Sequence, residues 1–313
     1  MKVLLTGAFG NLGLACLDEA LDRGYAVRCL DVDSRRTRTI GRRYSGRAEI
    51  VLGDVRDEVL LRRAVHGTDA ILHNASLLPP RSEDDPSLSR AVNVDASKLL
   101  IRCAEDLPRR PVVVFPSSVT VFGEAEPGEA PRSASDPVYP TDHYTAHKLE
   151  VEAALRAARV PWAVLRVGVS VDSRTLGTDL RTLRRLLAVR PDNPLEWVHP
   201  RDVARAMCAV ASTEGAHGRI LAVGGGSTCQ VTHGDFMGAA FGALGLAVPL
   251  RGTAPYYTHW MDTAEGQRLL DYQRHTFDDY RREMATRLAL TRRLLWPLRW
   301  LVGRALGALA HRG

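Results

Sequence analysis

Apolar residues in this chain fall into short runs separated by longer amphipathic stretches. Lys2–Thr6, Ala26–Leu30, Glu49–Leu52, Ala70–His73 and Val112–Phe115 predict five strands. Between them, Leu12–Arg23 places Leu14, Leu17, Ala20 and Leu21 at helical spacing. Glu58–Val65 predicts a second helix and Ser87–Glu105 a long third one. Short apolar runs alternating with helix-length segments mark a parallel, doubly wound α/β sheet. The pattern continues with a helix over Asp142–Arg159, a strand at Trp162–Val167, a helix over Arg201–Ala211 and a strand at Ile220–Val223. Pro and Gly cluster at 123–140, which reads as a loop. Over 170–195, arginines and leucines mix at only roughly helical spacing.

Composition changes this picture little. With 45% apolar and 25% charged residues over 313 positions, the chain is an ordinary globular protein rather than a disordered one. No uninterrupted apolar run reaches the ~18 residues of a spanning helix. Met1–Gly7 reads as a strand entering a glycine loop, not as a signal peptide. Cys16, Cys29, Cys103, Cys208 and Cys229 are widely spaced and form no Cys-x-x-Cys, so neither a disulfide framework nor a zinc site is expected. A reducing cytoplasm suits them.

Charge is distributed unevenly. The net +6 resides in six arginines after Met284: Arg287, Arg292, Arg293, Arg299, Arg304 and Arg312. The remaining body carries 36 basic and 36 acidic residues, which argues against nucleic acid as its partner. Residues 286–311 interleave these arginines with leucines, Trp296 and Trp300. Such a basic amphipathic helix suits peripheral contact with an anionic membrane, or packing on the body or on a second subunit. Pro297 is expected to kink or split it.

Thr6-Gly7-Ala8-Phe9-Gly10-Asn11-Leu12-Gly13 joins the first strand to the first helix. Glycines at this spacing allow a tight turn and a close backbone approach to a pyrophosphate, whose charge the helix N-terminus attracts. Asp31 ends the second strand, where a carboxylate accepts from an adenosine ribose and repels a 2′-phosphate. This favours NAD, while Arg35 and Arg36, read as a solvated loop, leave NADP open.

Tyr144 and Lys148 stand one helical turn apart in Tyr144-Thr145-Ala146-His147-Lys148. A free phenol, with a pKa near 10, is a poor base at pH 7. An ammonium at about 4 Å offers roughly 4 kcal/mol at an effective dielectric of 20, enough to lower that pKa by up to about 3 units. His143 and His147 point away from Tyr144 at this spacing and are expected at the surface or in loop contacts.

These motifs resemble an extended short-chain dehydrogenase/reductase of the NAD-dependent epimerase/dehydratase group, from residue 1 to about 285. Thr6–Gly13 resembles the family's nucleotide loop, Gly53-Asp54-Val55-Arg56-Asp57 its adenine segment, and His73-Asn74-Ala75-Ser76 the strand end along the cofactor. Asn93-Val94-Asp95-Ala96, Ser117–Gly123, Leu165–Gly168, Val198–Ala204 and Leu221–Gly226 resemble its later landmarks. The resemblance implies that Tyr144 exchanges a proton with a substrate hydroxyl or carbonyl and that Ser118 hydrogen-bonds the reacting oxygen. Lys148 would hold the cofactor ribose and lower the Tyr144 pKa. It also implies cofactor contacts from Gly7, Gly10, Asn11, Leu12, Gly13, Asp31, Asp54, Val55, Asn74, Ala75, Ser76, Asn93, Tyr144, Lys148, Val167 and Gly168, and a homodimer.

The implied fold is a Rossmann-like doubly wound parallel sheet over 1–168, with 196–225 returning to it. A smaller interleaved substrate lobe from 169–195 and 226–285 and the tail 286–313 complete it. Val169 stands where sugar-nucleotide enzymes of the family carry asparagine, and only about thirty residues separate it from His199. A small-molecule or sugar alcohol or ketone is therefore the expected substrate for hydride transfer. The alternative is a sugar or nucleotide-sugar epimerase or dehydratase with tightly held NAD. Asp202 reads as a helix-dipole partner, and His199 as either a core or a substrate residue. No metal-ligand spacing stands out.

Overall fold

The computed structural model describes residues 1–126, 128–173 and 180–310. Arg312 of the basic tail and residues 174–179 of the expected lobe lie outside the described residues. The strands β1 (Lys2–Thr6), β2 (Ala26–Asp31), β3 (Glu49–Leu52), β4 (Ala70–His73), β5 (Val112–Ser118), β6 (Trp162–Val167) and β8 (Arg219–Val223) form one parallel sheet ordered β3-β2-β1-β4-β5-β6-β8. A second sheet pairs β7 (Pro194–Glu196) antiparallel with β9 (Gln230–Thr232).

Both faces of the large sheet are covered, because consecutive strand residues point to opposite sides. Val3, Leu5, Val112, Val114, Ala163 and Leu165 face α1 (Asn11–Asp22) and α9 (Pro200–Val210). Leu4, Ile71, Val113, Phe115 and Val164 face α3 (Glu58–Val65), α6 (Ala96–Glu105) and α7 (His143–Ala157). Chain direction diverges between β1 and β4, so a crevice opens beyond Thr6 and His73, which are register partners.

Some local expectations are corrected. Arg35 and Arg36 are not in a loop: they open α2 (Arg35–Arg43), whose N-cap Ser34 forms a reciprocal capping box with Thr37. The expected helix over Ser87–Glu105 is α5 (Pro86–Arg90), a π-turn at Ala91–Asp95, and α6. The short α4 (Arg81–Asp84) precedes it.

After β6 the chain forms α8 (Leu180–Ala188) and β7, returns through α9 and β8, then leaves again as β9, α10 (His233–Ala243), α11 (Ala264–Leu270) and α12 (Phe277–Arg287). Trp197, Phe277, Tyr280 and Met284 form the buried core of this outer layer. Pro297 splits the tail into α13 (Ala289–Leu295), a 3₁₀ turn and α14 (Arg299–Ala310).

The outer layer is tied to the sheet through Glu196, whose buried carboxylate accepts from Met261 N (2.7 Å), Gly226 N (3.0 Å) and Gln230 Nε2 (3.1 Å). Burial pushes its pKa from 4.5 up to about 7 despite these bonds. A raised carboxyl pKa means that the folded state favours the protonated form. Its stabilisation is present below about pH 4.5 and disappears as pH rises through about 7. Glu196→Gln should therefore flatten the pH dependence of stability across that window. The expected change is about 3 kcal/mol, read from urea midpoints at pH 5 and pH 8.

Candidate active site

Asp142 starts α7 because its carboxylate accepts from Thr145 N (2.8 Å), while the Thr145 hydroxyl accepts from Asp142 N (3.1 Å). Glu83 of α4 adds acceptors for His143 N and Tyr144 N. This double cap sets the rotation of the helix. Tyr144, Lys148 and Glu152 then share the face toward β5, an unusually polar face for a helix packed on a parallel sheet.

Ser118 ends β5. Its hydroxyl pairs with Thr120 Oγ1 (2.8 Å) and accepts from Thr120 N (3.2 Å), and it is close enough to the Tyr144 phenol to draw its pKa down. Lys148 is buried and its ammonium donates to Pro116 O (2.7 Å). It lies 4.5 Å from the centroid of the Phe115 ring and 5.4 Å from that of Tyr144. The structure thus brings Ser118, Tyr144 and Lys148 together at the sheet's C-terminal edge.

The expected acidification of Tyr144 by Lys148 is not what this geometry produces. Burial pushes the phenol well above its ordinary value, and the nearby Ser118 hydroxyl offsets only part of that. Burial also lowers the Lys148 pKa to about 7. The ammonium is directed at a carbonyl rather than at the phenol oxygen, so it lacks the close contact that the sequence argument assumed. His147 is another correction. It is buried, with Nδ1 3.3 Å from Ser89 Oγ, because α5 covers that side of α7; His143 is exposed.

Beneath the triad lies a buried ion pair that sequence reasoning missed. Glu152 receives Arg166 Nη2 at 2.8 Å and Nε at 3.2 Å, and accepts from Ser117 Oγ at 2.6 Å. Arg166 also donates to Ala134 O (3.0 Å), tying the 123–140 loop to the sheet. One signal was available: Glu152 follows Lys148 by a further four residues on the same face.

The nucleotide loop is shaped as its glycines require. Gly7 adopts φ +60°, and a Cβ there would come within 2.8 Å of Ala75 N. A Cβ on Gly13 would meet Gly7 O at 2.1 Å, so α1 packs directly against the turn. Gly10 caps α1 without a side-chain acceptor, and no acid occupies the first turn, which includes Asn11 and Leu12. Those N–H groups suit a pyrophosphate. Asp31 accepts from Phe9 N (2.7 Å) and Val32 N (2.8 Å), and retains lone pairs for ribose hydroxyls. Its pKa is raised by burial, with Arg36 among the opposing influences.

On the β4 side, His73 links Thr6 (2.7 Å) to Ser97 (2.8 Å) and holds Asn74 and Ala75 beside the loop. Burial lowers the His73 pKa to about 3, so the ring is a neutral strut. Asn74 Oδ1 is buried without a hydrogen-bond partner, an acceptor awaiting a donor. Asn93 is otherwise engaged: its Oδ1 accepts from Leu77 N (2.7 Å) and Ser76 Oγ (3.2 Å), which shapes the loop behind the site. Asp54 pairs with Arg56 in the turn after β3, next to Val55. Val167 and Gly168 close the β6 end, where a Gly168 Cβ would strike Glu196 O at 2.7 Å. A cradle that side chains would fill, free helix N–H groups and an orphaned acceptor together fit NAD.

His199, left open by the sequence, serves the fold, as does Asp202, which stands in the first turn of α9 as its helix-dipole reading expects. His199 caps α9 through Nδ1 (3.0 Å to Arg201 N) and stacks on His275 with centroids 4.0 Å apart. Asp202 is buried and accepts from Arg274 N and His275 N (each 2.9 Å), which anchors the segment before α12.

A cavity of about 460 Å³ runs from Ser118 and Thr120 past Gly168 into the outer layer. Its walls are mainly apolar, with Leu183, Leu186, Leu195, Phe236, Met237 and Phe241 prominent. Among the described residues its lining contains no lysine or arginine. Its one histidine, His233, bonds Leu186 O (2.8 Å) and is driven toward the neutral form by burial.

This combination of parallel sheet, glycine cradle and Ser118–Tyr144–Lys148 cluster defines a nucleotide-dependent oxidoreductase class. The family model for the NAD dependent epimerase/dehydratase family matches residues 3–168. The chain belongs to that family and is an NAD-dependent enzyme. It is similar to a D-erythronate dehydrogenase from Cupriavidus necator, with 29% identity covering 66% of this chain and 71% of the relative. It is also similar to a (4-alkanoyl-5-oxo-2,5-dihydrofuran-3-yl)methyl phosphate reductase from Streptomyces griseus, at 28% identity over 71% of this chain and 67% of that protein. In fold it is similar to a short-chain dehydrogenase/reductase superfamily protein from Agrobacterium tumefaciens with bound NAD. The TM-score is 0.78 at 19% identity, covering 96% of this chain and all of the other.

Proposed function

We propose that this enzyme transfers hydride between NAD and the secondary alcohol or ketone carbon of a compact, apolar substrate. The observation that carries this reading is the cavity: it begins at Ser118 and offers apolar walls with no cation among the described residues. A nucleoside diphosphate would bring at least two negative charges into such walls, with no lysine or arginine among the described lining residues to compensate them. An alkyl or aryl group instead gains about 25 cal/mol for each Å² it buries.

The cradle of Gly7, Gly10 and Gly13 and the carboxylate of Asp31 would hold the cofactor, which when bound would accept the hydride as NAD in alcohol oxidation and donate it as NADH in carbonyl reduction. Ser118 donates to the reacting oxygen and orients it toward Tyr144. Tyr144 delivers a proton to that oxygen in the reducing direction and removes it in the oxidising one. Lys148, fixed by Pro116 O, stands ready for the cofactor ribose. The layer built from 169–195 and 226–285 acts as the substrate lobe.

The test is net NADH formation with a panel of apolar secondary alcohols beside UDP- and dTDP-sugars. Turnover with the alcohols and stoichiometric NADH release is the expected result. Conversion of nucleotide-sugars alone, without NADH release, would replace this reading with the epimerase one.

A further inference from the structure

We infer that the C-terminal helices form a docking face for an anionic membrane surface. The two sides of this tail differ sharply. Inward, Val302 and Leu306 pack on α8, and Gly303 and Gly307 bring α14 close to Ala247 and Pro249. Outward, Leu290, Leu294, Trp296, Leu298, Trp300 and Leu301 are all more than half exposed. They make up half of the exposed large apolar side chains among the described residues. Leu290, Leu294, Leu298 and Leu301 recur at spacings of four, four and three, which keeps one apolar row continuous across the Pro297 turn.

The charge on this face selects the partner. Arg292 and Arg293 lie on α13, Arg299 and Arg304 on α14 and Arg287 at the end of α12, and the segment from Met284 onward has no acid. None of the five forms an ion pair with a carboxylate among the described residues. Arg299 instead lies 3.5 Å from the centroid of the Trp296 ring and Arg304 4.8 Å from that of Trp300. Arg251, Arg299 and Arg304 also border a groove of about 900 Å³ beside α14, which is suited to phosphate headgroups. A protein partner for an exposed apolar row would not need this unrelieved positive charge, whereas a helix lying in an anionic interface uses both. No helix among the described residues is long and apolar enough to cross a membrane, so the contact is peripheral. α8 separates this face from the apolar cavity, since Leu183 and Leu186 belong to both walls.

The experiment is co-sedimentation of the full chain with vesicles of phosphatidylcholine containing about a third phosphatidylglycerol, at low salt. Binding is expected, at least ten-fold weaker on pure phosphatidylcholine or in 0.5 M salt. Trp296→Ala/Trp300→Ala should lose at least ten-fold while keeping the wild-type melting temperature and NAD affinity, because both side chains lie outside the inner side of α14 that packs on the body and outside the nucleotide cradle. Wild-type protein that ignores anionic vesicles would overturn the inference, as would undiminished binding by the double variant. So would a wild-type dimer in sedimentation equilibrium that becomes monomeric in the double variant without any vesicle binding; that face would then belong to a second copy.

Discussion

Tyr144→Phe will lower turnover by about 10²–10⁴-fold while NAD still binds with near wild-type affinity. The lost hydroxyl stands beside Ser118, and removing it deletes the proposed proton donor without touching the glycine cradle. Measuring kcat beside NAD titration of tryptophan fluorescence separates the two effects. Near-normal turnover would remove Tyr144 from the chemistry. The direction of pH dependence follows from burial. The phenol is held well above its ordinary pKa, so it is a ready donor at neutral pH and carbonyl reduction needs no prior ionisation. Alcohol oxidation needs the phenolate and should accelerate as pH rises through the neutral and alkaline range.

Arg166→Met will destabilise the fold by about 3–5 kcal/mol, the usual cost of leaving one member of a buried ion pair alone. Both partners are only 2% exposed, so Glu152 would be left in a dry site with Ser117 as its hydrogen-bond donor and only the exposed Arg156, 3.8 Å away, as a cation. Urea denaturation measures the loss directly. Adding Glu152→Leu should recover much of it, because two apolar side chains carry no desolvation penalty. A single variant as stable as wild type would show that the pair is not structurally coupled. Activity of any folded single variant should also fall, since the pair supports Ser117 and the helix turn below Lys148.

Much of this architecture was readable from pattern. The strand runs are nearly all at their expected places, because a sheet buried on both faces demands unbroken apolar segments. The glycine loop and the Tyr144–Lys148 spacing were equally legible, since backbone crowding and helical periodicity are local properties. The missed element α2 shows the limit: Arg35–Arg43 is too polar for an apolar stripe, and its capping box identifies it only once the chain direction is known.

What tertiary structure alone decided is environment. Whether Tyr144 is acidified or held neutral depends on where Lys148 aims its ammonium and on how much protein surrounds the phenol. Neither is encoded in a spacing of four. His147, Glu152 and Glu196 are likewise ordinary polar letters until long-range packing removes water from them. The cavity behind Ser118 is assembled from residues more than a hundred positions apart. Sequence determined the fold and the chemistry on offer because periodicity and backbone sterics act over a few residues. Structure decided charge state and cavity shape, because desolvation is a property of every atom that surrounds a group.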